Sequence, residues 1–174
     1  MPNAVQLIKQ DHKKVANLFD KYKKTKGQEA KRRISEHAME QLEVHALMEE
    51  DIFYPAVKNQ LSDGALIHEA LKEHQVVNDL IEELRNMEED DWEFDEKWSE
   101  LVDNVLHHVA EEESYLLPQA EESELDLAEC GAQMAERREK AIDEIGASSM
   151  AHGSKSRLGS KSKHSTKQAD SRHP

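Results

Sequence analysis

One cysteine, four prolines and six glycines in 174 residues exclude several kinds of architecture. Cys130 alone cannot form an internal disulfide, which fits a reducing compartment. Scarce Pro and Gly, with aromatics at 5%, argue against a sheet protein rich in turns, and abundant Ala, Leu, Glu and Lys favour helix. No apolar run approaches the roughly 18 residues of a membrane span. The first ten residues lack the basic start and apolar stretch of a secretory signal. The expectation is a cytoplasmic protein with one domain and an appendage, and no membrane partner.

Charge is unevenly spread. Residues 151–174 hold six Lys/Arg and one Asp, so residues 1–150 carry −19 against a total of −14. The stretch 147–174 is Ser-, Gly- and Lys-rich with almost nothing to bury, and reads as a disordered basic tail. An acidic body repels phosphate, which makes nucleic acid an unfavoured partner.

Hydrophobic periodicity marks five helices. Val5, Ile8, His12, Val15, Phe19 and Tyr22 share one stripe of the first, which stops near Gly27. The second aligns Ile34, Ala38, Leu42, His45, Glu49 and Ile52 and ends around Pro55. After the turn signal Ser62-Asp63-Gly64, the third aligns Ile67, Leu71, His74, Val77, Ile81 and Leu84. The fourth begins near Trp92 and aligns Trp98, Leu101, Val105, His108, Glu112 and Tyr115. A fifth, highly charged, runs from about Leu125 to Ile145 and stops at Gly146. Short connections make neighbours antiparallel. The expected fold is all-α: an up-down four-helix bundle over 1–121, a charged C-terminal helix over 122–146 and the tail.

The chain also repeats itself. His45-Ala-Leu-Met-Glu49-Glu-Asp-Ile-Phe-Tyr-Pro55 has the same grammar as His108-Val-Ala-Glu-Glu112-Glu-Ser-Tyr-Leu-Leu-Pro118. Each copy follows an upstream histidine, in Gln-Asp-His12 and Lys-Glu-His74. The first-to-second offset is 62 positions for the upstream histidines and 63 for the rest. Each core helix therefore places one histidine inside its apolar stripe, and the second and fourth add a glutamate one turn on. Burying these groups without partners costs several kcal/mol each, about 2–7 by transfer measures. A divalent metal pair at the bundle axis offsets that cost. Imidazole with carboxylate and no thiolate suits iron, manganese or zinc, and argues against a structural zinc cage.

His107 lines up with Glu96, Glu100 and Asp103 and reads as solvated. Tyr115 is seven residues after His108 and so points inward. His37, two turns before His45, and Glu113, beside Glu112, join it as candidates for moving protons at the metals.

These motifs make the chain resemble the hemerythrin-like, or HHE cation-binding, family over roughly residues 4–121. The resemblance implies a non-haem di-iron centre, two iron ions bridged by carboxylates and an oxo or hydroxo group. Its ligands would be His12, His45, Glu49, His74, His108 and Glu112. Oxygen-carrying members place a further histidine four residues after the third-helix histidine, where this chain has Asn78. They also use His-x-x-x-x-Asp on the last helix, where this chain has His-x-x-x-Glu. One imidazole fewer opens a coordination position and argues against reversible oxygen carriage.

Two function classes follow. One is a protein that binds or senses iron, dioxygen or nitric oxide, as a monomer or weak homodimer. The other is a redox enzyme that decomposes hydrogen peroxide in a catalase-like reaction and needs a proton shuttle at the metals. A metal-free helical interaction module is a weaker alternative.

Overall fold

The computed structural model describes residues 2–61, 64–88 and 92–156, the last nine of these as backbone only. The described residues form helices and no strand. α1 (Ala4–Lys24) opens with a capping box: Asn3 Oδ1 accepts from Gln6 N at 2.9 Å and Gln6 Oε1 from Asn3 N at 3.0 Å. Gly27, at φ +94°, takes a backbone conformation that a side chain disfavours and lets the chain reverse into α2 (Gln28–Met48).

α2 does not stop at Pro55. It passes through a π-helical turn, Glu49–Phe53, and resumes as α3 (Tyr54–Lys58). α4 (Ala65–Asn86) follows, then α5 (Phe94–Glu111), which repeats the device with a π turn at Glu112–Leu116 before α6 (Leu117–Glu122). Each proline sits just past the wide turn. Pro carries no N–H, so the α-type hydrogen bond from it to Asp51 or Ser114 cannot form, and the ladder takes up a wider spacing.

α1, α2, α4 and α5 pack as the up-down bundle. Its apolar core has two layers. One gathers Ile8, Met48, Phe53 and Leu116, and the other gathers Phe19, Leu42, Ile81 and Trp98. His12, His45, His74 and His108 lie between them, each flanked along its helix by residues of both layers. The expected stripes are buried, with three exceptions. Leu71 is exposed because Ala70 takes the inward place, Ile52 is only partly buried, and Tyr115 is turned outward.

α7 (Leu127–Ser156) lies on α1, α2 and the first π turn. It runs through Gly146 rather than ending there, since one glycine costs a helix interior only about 1 kcal/mol. The start of the expected tail is thus helical backbone. Residues 157–174 of that tail, and Ser62 and Asp63 of the expected turn, lie outside the described residues.

Candidate metal centre

The four stripe histidines and two glutamates converge at the bundle axis, all nearly inaccessible to solvent. Glu49, fully buried, turns Oε1 to His45 Nε2 and Oε2 to His74 Nε2, each at 3.2 Å. Glu112 Oε2 faces His12 Nε2 at 3.3 Å. His74 and His108 bring their Nε2 atoms to 3.2 Å. The donor atoms fall into two sets, His12, His45, Glu49 and Glu112, and Glu49, His74 and His108, with the atoms of each set within 4.8 Å of one another.

The outer nitrogens explain which atoms face inward. His12 Nδ1 donates to Glu113, His74 Nδ1 to Glu50 and His108 Nδ1 to Glu73, each at 2.8 Å. A carboxylate only accepts, so the proton sits on Nδ1 and leaves Nε2 to serve as a ligand atom. His45 Nδ1 faces Asp11 at 3.7 Å. These partners obey the repeat as the histidines do. Asp11 and Glu73 each precede an upstream histidine and face the histidine of the next helix, and Glu50 and Glu113 each follow an inward glutamate. Sequence reasoning singled out Glu113 as a proton carrier rather than as the partner of His12, and missed Asp11, Glu50 and Glu73, although their duplication was the available signal.

Electrostatics reflects the crowding. Burial alone would lower the His12 pKa, but Glu112, Glu49 and Glu113 outweigh it and push it up to about 9. His74 behaves alike, burial being overcome by Glu49 and Glu50, and rises to about 10. His108 moves down, because burial and the adjacent His74 disfavour a second cation there despite the pull of Glu112 and Glu49. Glu49 is held well below the ordinary carboxylate range: burial opposes ionisation, but His45, His74 and His108 overcome it.

The donor set fits a metal on an independent observation. Nε2 of His12 and His45, Oε1 of Glu49 and Oε2 of Glu112 are buried without any hydrogen-bond partner. Each orphaned group costs about 1–3 kcal/mol. These are the atoms that point at one another, and a cation between them would satisfy all four.

Tyr54 occupies the place expected of Tyr115. In a π turn residues five apart share a face, and the Tyr54 N–H bonds Glu49 O. Its buried hydroxyl lies 3.1 Å from Glu49 Oε2 and 3.3 Å from both Glu112 Oε1 and His74 Nε2. Burial, with Glu49 and Glu112 beside it, raises its pKa and keeps it a proton donor. The second π turn adds one residue before Tyr115, which is 57% exposed, and Leu116 packs inward instead. His37 is also displaced from the centre: its side chain is 57% exposed and faces Glu40 on the surface. His107 is exposed beside Glu73 and Glu111, as its register predicted.

A cavity of about 30 Å³ opens beside the imidazoles, lined by His45, His108, Val15, Leu42, Val105 and Asn78. Asn78 stands where oxygen carriers have their extra histidine, and here it borders open space.

The hemerythrin HHE cation-binding domain model matches residues 3–120. A solved structure of an HHE cation-binding domain-containing protein from Mycobacterium kansasii superposes with a TM-score of 0.73 and 25% identity, covering 83% of this chain and 90% of that one. A protein described as a DNA nickase, from Nostoc sp., is 28% identical over 114 residues, 66% of this chain. The chain spans about a third of that relative's length, 32%.

Proposed function

The chain belongs to the hemerythrin HHE cation-binding family, and from that membership we propose that its bundle centre holds two iron ions at which the protein binds or senses dioxygen or nitric oxide. The observation that carries this reading is the pair of donor sets that share Glu49. His12, His45, Glu49 and Glu112 would hold one ion, and Glu49, His74 and His108 the other. Bound there, an iron pair supplies open coordination positions and redox capacity.

The protein's own groups do the rest. The carboxylates on the Nδ1 atoms fix the rings of His12, His74 and His108. Apolar layers on both sides exclude bulk water. A cavity of about 30 Å³ has room for one or two water-sized molecules, which suits a diatomic ligand.

The second reading, hydrogen peroxide decomposition, gains support from Tyr54. Of the shuttles expected for that reaction, Tyr115 and His37 face solvent and Glu113 holds His12. Tyr54 instead brings an O–H to both inward carboxylates. The binding reading remains first because it requires no shuttle.

Metal analysis and visible spectroscopy of protein from iron-replete cells test both. Two irons per chain and a spectrum altered by dioxygen or nitric oxide would support binding. Sustained oxygen release from added peroxide would favour the enzyme, and iron well below two per chain would sink the di-iron centre.

A further inference from the structure

The two halves of the centre are unequal despite their repeated sequence. His12, His74 and His108 each give Nδ1–H to a carboxylate at 2.8 Å. His45 Nδ1 stands 3.7 Å from Asp11 Oδ2 and has no hydrogen-bond partner. Asp11 precedes His12 as Glu73 precedes His74, and His45 corresponds to His108, so the repeat by itself predicts a bond here too.

Two features set this half apart: Asp11 is one methylene shorter than Glu73, and α7, which lies outside the repeat, packs on the α1–α2 side of the bundle. Arg138 of α7 ion-pairs with Asp11 through Oδ2, the oxygen that faces His45, while Lys14 takes Oδ1 at 3.0 Å. Arg138 is itself fixed, since its Nε donates to Met48 Sδ at 3.3 Å. The neighbouring Arg137 is held by Asp51 at 2.7 Å. Nearer its start, α7 meets the chain entering α1 so closely that a Cβ on Gly131 would lie 2.8 Å from Ala4 N.

We propose that Arg138 is a positioning residue that makes the two metal subsites inequivalent: by engaging Asp11, it leaves His45 the least anchored imidazole and the ion at His12–His45 the more readily released. This rests on the two-ion reading above. A guanidinium–carboxylate pair outcompetes a neutral imidazole N–H for the same oxygen. The Asp11 side chain is 9% exposed, and each of its oxygens already faces a cation, Lys14 at Oδ1 and Arg138 at Oδ2. A carboxylate on the outer nitrogen orients a ligating histidine and raises its basicity, and losing such a partner costs about 10–100-fold in metal affinity. Undocking α7 frees Asp11 for His45, so retention of that ion is linked to the position of the C-terminal helix.

The test is chelator extraction of iron from the loaded full chain, followed by absorbance, with helix content monitored by circular dichroism. The parent should release its irons in two phases. Arg138→Gln should slow the faster phase about tenfold. Arg138→Lys, which keeps the charge on Asp11, should release as the parent does. Adding Asp11→Asn to Arg138→Gln should restore fast release, an outcome that a purely structural role for Arg138 does not produce. Should Arg138→Gln fail to fold, Asp11→Asn in the otherwise parental chain tests the same point: with Asp11 already engaged by Arg138, its loss should leave the fast phase as in the parent, and faster release would overturn the proposal. Parental or faster release from a folded Arg138→Gln would overturn the proposal, as would single-phase release from the parent. A parent that takes up fewer than two irons would sink the two-ion reading itself, and with it this inference.

Discussion

The Tyr54 hydroxyl donates to Glu49 Oε2 at 3.1 Å across five positions of one chain segment. A regular α-helix separates such residues by about 140°. The wide turn at Glu49–Phe53 removes that separation, and it places an O–H against both inward carboxylates. Its counterpart, Leu117, follows the second wide turn and has no hydroxyl to offer, so the aromatic donor is confined to one copy of the repeat.

Tyr54→Phe should therefore preserve the fold, since ring volume is kept and the lost hydroxyl bonds cost about 1–3 kcal/mol. Iron content should stay near the parent's, while the visible spectrum shifts. If peroxide is consumed by the parent, the variant should consume it more slowly. An unchanged spectrum and rate would show that the hydroxyl is a bystander.

Glu49 serves both donor sets through separate oxygens, whereas Glu112 Oε2 faces only His12 among the imidazoles within 4 Å. Glu49→Ala should cost both irons. Glu112→Ala should cost chiefly the one near His12. Metal analysis after desalting distinguishes these outcomes, and full iron in both variants would mean the ligands are misassigned.

The bundle and the converging residues were legible because burial follows a 3.6-residue period, and the duplicated register located the histidines at one depth. What escaped the reading depends on hydrogen-bond geometry rather than periodicity. Extrapolating a straight α-helix from His108 turned Tyr115 inward, and the same extrapolation hid Tyr54. Proline at matched positions signals an irregularity, but at Pro55 a helix end accounts for it equally well in the sequence. Asp11, Glu50 and Glu73 each lie one step from a ligand position, where a helix leaves its apolar face, so periodicity gives no reason to single them out. Arg138 was illegible for another reason: its partner lies 127 positions away, outside the repeated unit.

Stability of the metal-free protein should fall as pH rises. His12 and His74 have folded-state pKa values raised from 6.5 to about 9 and about 10. Their protonated forms favour the fold, so their contribution is fully present below about 6.5 and is lost through about 9 to 10. Iron-bound imidazoles carry no such proton on Nε2, so the loaded protein should not share this loss. Thermal melts of both forms at pH 7 and pH 10 check the sign, and a metal-free protein that gains stability over this interval would contradict it.

His108→Ala should lose or weaken iron and bleach the chromophore, because its Nε2 faces the centre and its Nδ1 is held by Glu73. His107→Ala should behave as a surface substitution, within about 0.5 kcal/mol of the parent in stability and with full iron. His107 is 65% exposed, and its contacts with Glu73 and Glu111 lie at the solvent boundary. The reverse result would mean that the last bundle helix is rotated by one residue.

Gly131 is where α7 meets the chain entering α1. A Cβ there would come within 2.8 Å of Ala4 N and Asn3 C and 2.9 Å of Pro2 O, all backbone atoms that cannot swing aside. Gly131→Val should force α7 outward at this end and destabilise the protein by about 1–3 kcal/mol, as overpacking does. Helix content should be largely kept, because α1, α2, α4 and α5 make their own core. Gly146→Val is the control, since a Cβ there meets nothing within 4 Å. Chemical denaturation of both variants reads the difference, and equal stability would mean that α7 is not pinned at Gly131.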